Sequence, residues 1–103
     1  MTEVRLSEAV RAIPLDKATF HARKLPGSFF VGEPTDEAEF LFWYRCPCGC
    51  HAVSALLVGE NFKPEDSPSW EWNGSLAAAT LMPSVWHRGH WHGWLRNGRW
   101  VQS

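Results

Sequence analysis

No stretch of this chain is long and apolar enough to cross a membrane as a helix, which takes about 20 predominantly apolar residues. The first twenty residues carry Glu3, Arg5, Glu8, Arg11, Asp16 and Lys17 and hold no apolar core of the kind a secretory signal needs. A cationic surplus is also missing. Ten Lys and Arg stand against eleven Asp and Glu, for a net charge of −1 with His neutral. A reader of duplex nucleic acid offers a basic stripe to the phosphates, so nucleic acid is not the expected partner. Cysteine is scarce and odd in number, with three in all. They are confined to residues 46–50, which does not make a secreted disulfide framework, and a reducing cytoplasm is the expected compartment. Repeats and low-complexity tracts are absent.

The scarce cysteines are also the most informative residues. They read Cys46-Pro47-Cys48-Gly49-Cys50, with His51 next. Thiolates are soft ligands that suit Zn²⁺, and three of them in one turn repel each other unless a cation neutralises them. Pro47 fixes φ and Gly49 permits φ > 0, which lets such a turn close around an ion. Structural zinc takes four N or S ligands. The fourth is sought in Trp86-His87-Arg88-Gly89-His90-Trp91-His92-Gly93-Trp94. His90 and His92 have strand spacing, which predicts a shared face. His90 is the favoured ligand, with His51 and His87 as alternatives. A zinc that joins segments this far apart closes a long loop and contributes folding energy.

At 103 residues the chain is one domain, just large enough for a single core, and its seven Trp and six Phe supply the apolar area. A helix is predicted over Leu6–Ile13, capped by Ser7 and stopped by Pro14. Beyond Pro26-Gly27 the pattern turns to strands: 28–31, then 39–44, then 52–58, with the Cys turn at the tip of the last pair. Phe40, Phe42 and Tyr44 share one face and Leu41 and Trp43 the other, so both faces are apolar and the strand is central. Residues 59–69 read as loop, Trp70–Trp72 as a short strand stopped by Asn73-Gly74, and residues 80–84 as extended chain. Asn97-Gly98 predicts a type I′ hairpin between 91–96 and 99–102. That register sets Arg96 opposite Arg99, an unfavourable pairing that an anionic partner or simple exposure accommodates. The expected fold is mostly β, a small α+β domain of antiparallel hairpins around a Trp/Phe core. It has a short N-terminal helix and one structural zinc, with residues 1–25 as an extension and 26–103 as the zinc-stabilised β domain.

Two chemistries are conceivable. Three thiolates and a His close the coordination of zinc, which makes it a poor Lewis acid and a good staple. Separately, Ser84 after Pro83 and His92 eight residues on form a nucleophile–base pair. No acidic partner for His92 is evident; Glu71 and Asp66 are the candidates.

The motifs Pro26-Gly27-Ser28-Phe29-Phe30, Tyr44-Arg45-Cys46-Pro47-Cys48-Gly49-Cys50, Trp70-Glu71-Trp72-Asn73-Gly74, Ala79-Thr80-Leu81-Met82-Pro83-Ser84-Val85 and His92-Gly93-Trp94-Leu95-Arg96-Asn97-Gly98 occur in this order. This chain resembles a family of small phage and bacterial proteins. Its pattern is Cys-Pro-Cys-Gly-Cys-Gly, Pro-Thr-Leu-x-Pro-Ser-[Ile/Val], and a Cys shortly before His-x-Trp-[Ile/Leu]-x-x-Gly. The resemblance spans about residues 26–101. Some members are encoded beside bacterial ubiquitin-like conjugation genes, with a ubiquitin-like-protein peptidase role attributed to them. It implies a metal-binding turn at Cys46, Cys48 and Cys50, and it matches Ser84 and His92 to the family's Ser and His, which leaves His90 for the metal. The chain departs from the pattern at His51, where Gly is usual, and at Gly89, where the downstream Cys is expected. The implied function is a Ser/His-dependent peptidase acting on a protein tail, with a ubiquitin-like protein as substrate, in a bacterial cytoplasm. The alternative is a non-catalytic, phage-encoded adaptor or inhibitor that binds a protein and keeps a structural zinc.

Overall fold

The computed structural model describes residues 8–103. In chain order the elements are β1 (Val10–Arg11), β2 (Ile13–Pro14), α1 (Lys17–Arg23), β3 (Ser28–Val31), β4 (Glu39–Arg45), β5 (Val53–Glu60), β6 (Trp70–Trp72), β7 (Leu81–Met82), β8 (Val85–His87), β9 (Trp91–Arg96) and β10 (Arg99–Gln102). They form a six-stranded sheet in the order β2-β3-β4-β5-β6-β7 and a four-stranded sheet in the order β1-β10-β9-β8. The architecture is mostly β, as the strand patterning predicts.

One buried cluster lies between the sheets. Phe29, Phe42, Tyr44, Val58 and Leu81 come from the first sheet, and Val85, Trp91, Leu95 and Trp100 from the second. The rings of Tyr44 and Trp100 meet across it at 5.1 Å. Alternation along β4 turns Phe42 and Tyr44 inward, and the outward Trp43 stacks on Phe30 at 5.9 Å. Phe30 in turn meets Phe20 of α1 at 4.9 Å, so the helix covers the outer face at β3, while Leu41 on the same face of β4 stays exposed.

The N-terminal helix exists but sits further along than residues 6–13. Asp16 caps α1 by accepting from Thr19 N at 2.8 Å, and Lys24 ends it in the left-handed region. Residues 10–14 are extended instead, because Val10 pairs with Trp100 and Ile13 with Ser28. Ladder bonds and burial outweigh the modest helix propensity of that stretch. Pro14 is accommodated because β2 is an edge strand. Ser7, the expected cap, lies outside the described residues.

Gly27 is required where β1 crosses the core. Its φ is +77°, and a Cβ there would meet Val10, the Arg11 carbonyl and Trp100. The close approach lets the buried Trp100 indole donate to the Gly27 carbonyl at 2.9 Å. Trp100→Phe leaves that carbonyl unsatisfied, and stability is expected to fall by about 2 kcal/mol. A lower denaturant midpoint at unchanged slope is the expected readout.

Asn97 and Gly98 have φ of 48° and 75°, as a type I′ turn requires. Arg96 and Arg99 are paired across it, as predicted. Between β7 and β8 the chain passes from the edge of one sheet to the edge of the other through Pro83-Ser84.

Candidate functional site

The β4–β5 hairpin ends in the cysteine turn, closed by Arg45 opposite Val53 and by Cys46 N donating to Ala52 O at 2.9 Å. Gly49 and His51 both hold positive φ, 91° and 67°. His51 thus holds a left-handed backbone, a conformation that favours glycine. The carbonyl of His51 is held by Arg45 Nη1 at 2.7 Å. The buried Arg45 guanidinium also lies 4.8 Å over the Phe20 ring, so it ties the helix to the turn.

The sulfurs of Cys46, Cys48 and Cys50 lie within 4.8 Å of one another and could hold a metal ion. Cys50, His87 and His90 form a second such group that shares Cys50. Cys46 Sγ and Cys48 Sγ are 3.3 Å apart, and Cys48 Sγ is 3.9 Å from His90 Nδ1. The ligand atoms of a tetrahedral Zn–thiolate site are separated by about 3.7 Å, so this donor set fits zinc. His51 is exposed and belongs to neither group, while His87 belongs to the second and also approaches Tyr44, with its Nδ1 3.5 Å from the phenol oxygen.

The electrostatics of the turn pull the thiols in opposite directions. Burial pushes the Cys46 thiol well above its usual range, against a backbone hydrogen bond from Cys48 that favours the thiolate. Burial also acts against the Cys50 thiolate. Hydrogen bonds from the Ala52 backbone and from the Cys48 and Cys46 thiols outweigh it, so the Cys50 pKa is lowered. A bound cation would favour all three thiolates. Burial, and then the neighbouring His90, hold His87 below its usual pKa, toward the neutral form that ligates metals. Burial raises the Tyr44 phenol to about 12, which keeps it a neutral hydroxyl.

His90 and His92 do not share a face. Gly89, with φ of 78°, turns the chain before β9, and His90 N donates to His87 O at 2.9 Å within that turn. His90 thus meets Cys48, while His92 is in β9, opposite Trp86 of β8. Ser84 lies two residues before Trp86, on the same face and diagonal to His92. His92 Nε2 and Ser84 Oγ are 3.1 Å apart, both half-buried. Trp70 of β6 fixes the serine by donating its indole N–H to Ser84 O at 3.0 Å. The His92 carbonyl accepts from Ser103 N at 2.9 Å. Among the described residues no carboxylate hydrogen-bonds to His92. Neither Glu71, which stands opposite Met82, nor Asp66, in the loop before β6, is brought to it.

Arg45 and Trp70 are supporting residues to which the sequence reading assigned no task. A buried Arg directly before Cys-Pro-Cys was the available signal for the first. Nothing local distinguishes Trp70 from the core tryptophans.

The two-sheet β domain thus carries a Ser–His pair at the seam of its sheets and, apart from it, a thiol turn that could hold a metal ion. The family model described as bacterial ubiquitination-like system serine protease (BubE) matches residues 15–103, and the chain belongs to that family. The matched span includes the cysteine turn, Ser84 and His92. No curated protein and no solved structure matches the chain.

Proposed function

We propose that this protein is a serine peptidase that cleaves a protein tail, with a ubiquitin-like protein as the substrate class, in a bacterial cytoplasm. The observation that carries the reading is the 3.1 Å contact between His92 Nε2 and Ser84 Oγ, in a chain that belongs to a serine protease family. Ser84 Oγ attacks the scissile carbonyl carbon as His92 Nε2 takes its proton. The Ser84 N–H has no hydrogen-bond partner among the described residues, so we assign it to the developing oxyanion. His92 then gives the proton to the leaving amine as the C–N bond breaks. Water, deprotonated by the same imidazole, releases the acyl group from Ser84 and restores the hydroxyl.

Cys46, Cys48, Cys50 and His90 are the ligands we assign to zinc. Its contribution, when bound, is structural, because three thiolates neutralise its charge and leave no position for water. Ser84 immediately precedes β8 and His92 lies in β9, and His87 and His90 sit at the turn of that hairpin. Holding the turn against the cysteines therefore fixes the strands that carry the pair.

Trp70 is a positioning residue in this account. Trp70→Phe removes its hydrogen bond to Ser84 O, and kcat is expected to fall about tenfold with KM little changed, since ground-state binding does not use that bond. A matching rise in KM at constant kcat would contradict this.

The second reading is a non-catalytic adaptor. It is favoured by two exposed apolar side chains beside Ser84, Met82 at 63% and Trp86 at 55% exposure. The test is cleavage of a ubiquitin-like protein carrying a C-terminal extension. The peptidase reading expects a truncated product that Ser84→Ala does not form. The adaptor reading expects no product and intact partner binding by Ser84→Ala.

A further inference from the structure

The paired arginines are part of a longer row. Arg96 stands opposite Arg99 across the β9–β10 turn, and Arg99 stands opposite Arg11 of β1. Directly paired residues share a face, so three guanidinium side chains line up across three adjacent strands at about 4.8 Å per step. All three are exposed, and none pairs with a carboxylate among the described residues. Like charges set side by side repel, and among the described residues no carboxylate offsets them. The turn that carries two of them is also fixed. Asn97 N donates to Thr80 Oγ1 at 3.0 Å, and Gly98 N to Ala79 O at 2.9 Å.

The row shares its face with the Ser–His pair. His92, Trp94 and Arg96 alternate along β9, so all three project from the same side. Arg96 is about 13 Å along the strand from His92, the length of four extended residues. A groove of about 470 Å³ occupies this interval, lined by Met82, Pro83, Trp94, Arg96 and Asn97 among others. It begins at Pro83, next to Ser84, and ends at Arg96. The Arg96 guanidinium lies 4.6 Å over the Trp94 ring, which orients it along the groove floor.

We infer that this groove is the substrate track, and that Arg96, backed by Arg99 and Arg11, selects an acidic side chain about four residues from the scissile bond. The occupant is an extended peptide segment whose backbone crosses Trp94 and whose Asp or Glu reaches the arginine row. This rests on the Ser84–His92 reading, since that pair fixes where the scissile bond lies.

The test is a positional peptide series in which Glu, Gln or Lys is placed at each position on both sides of the cleaved bond. The wild-type protein is expected to favour Glu over Lys in kcat/KM by about tenfold or more at one position three to five residues from that bond. The preference should shrink as salt is raised. Arg96→Glu should reverse it, and Arg99→Glu and Arg11→Glu should each reduce it. Binding of the same peptides to Ser84→Ala, read by tryptophan fluorescence, should show the same order, so the measurement does not depend on turnover. No charge preference, or one that survives Arg96→Glu, overturns the inference and leaves the Ser–His reading standing. Wild-type rates in Ser84→Ala overturn the Ser–His reading instead, while the charge preference remains readable.

Discussion

Ser84→Ala and His92→Ala are each expected to lower turnover by about 10³-fold or more while the fold and the bound metal are retained. The alanines remove the nucleophile or the base and touch little else. Ser84 Oγ and His92 Nε2 bond to each other, and the backbone bonds of both residues, Trp70 to Ser84 O and Ser103 to His92 O, remain. The double variant is expected to lose no more than either single one, because the two groups act as a unit. A metallohydrolase that used the mixed cluster of Cys50, His87 and His90 would behave otherwise. Ser84→Ala would then be nearly silent, and a chelator would stop turnover before the fold was lost. Initial rates on one protein substrate, with circular dichroism and metal content on the same samples, separate these outcomes. Among the described residues no carboxylate orients the base; its neighbours are Ser84 and the Trp86 ring, 5.9 Å from the imidazole. Trp86 is thereby a contact of the base as well as an exposed surface.

Cys48→Ser is expected to act on the whole domain. Cys48 is the thiol that approaches both Cys46 Sγ, at 3.3 Å, and His90 Nδ1, at 3.9 Å, so it joins the β4–β5 tip to the β8–β9 turn. A serine oxygen is a harder and poorer zinc ligand. Structural zinc contributes folding free energy outright, and its loss here is expected to cost on the order of 5 kcal/mol. Small domains have about 5–15 kcal/mol in total, so much of the protein should unfold near physiological temperature. Chelation of the wild-type protein should have the same effect. The native sample should carry one zinc per chain, measured on protein purified without a His tag. A folded, metal-free sample of unchanged melting temperature would remove zinc from the account.

Residue pattern reads well where local chemistry decides. The 28–31, 39–44 and 70–72 strands, the Asn97-Gly98 hairpin and the Arg96–Arg99 pairing all follow from alternation and turn residues, with the second strand running one residue further, to Arg45. So does the cysteine turn at the tip of β4–β5. Pattern fails where a partner distant in sequence decides. Val10 and Ile13 have an apolar spacing that suits a helix, and pairing with Trp100 and Ser28 makes them strands. The period-two relation of His90 and His92 is broken by a positive-φ glycine at 89, whose effect depends on the turn around it. The Ser84–His92 pairing was inferred from residue types and from resemblance. Its 3.1 Å separation follows from a diagonal across β8 and β9, which no spacing of eight residues specifies. Trp70 is invisible for the same reason, since its bond to Ser84 O reaches from β6 to the link between the two sheets.

The most direct measurement of the central claim is the site of covalent capture by a fluorophosphonate, read by peptide mass mapping on protein that is cleaving its substrate. One adduct on Ser84, lost in His92→Ala and accompanied by loss of turnover, is the predicted result. A protein that keeps cleaving its substrate with Ser84 unmodified, or with the adduct on another residue, contradicts it.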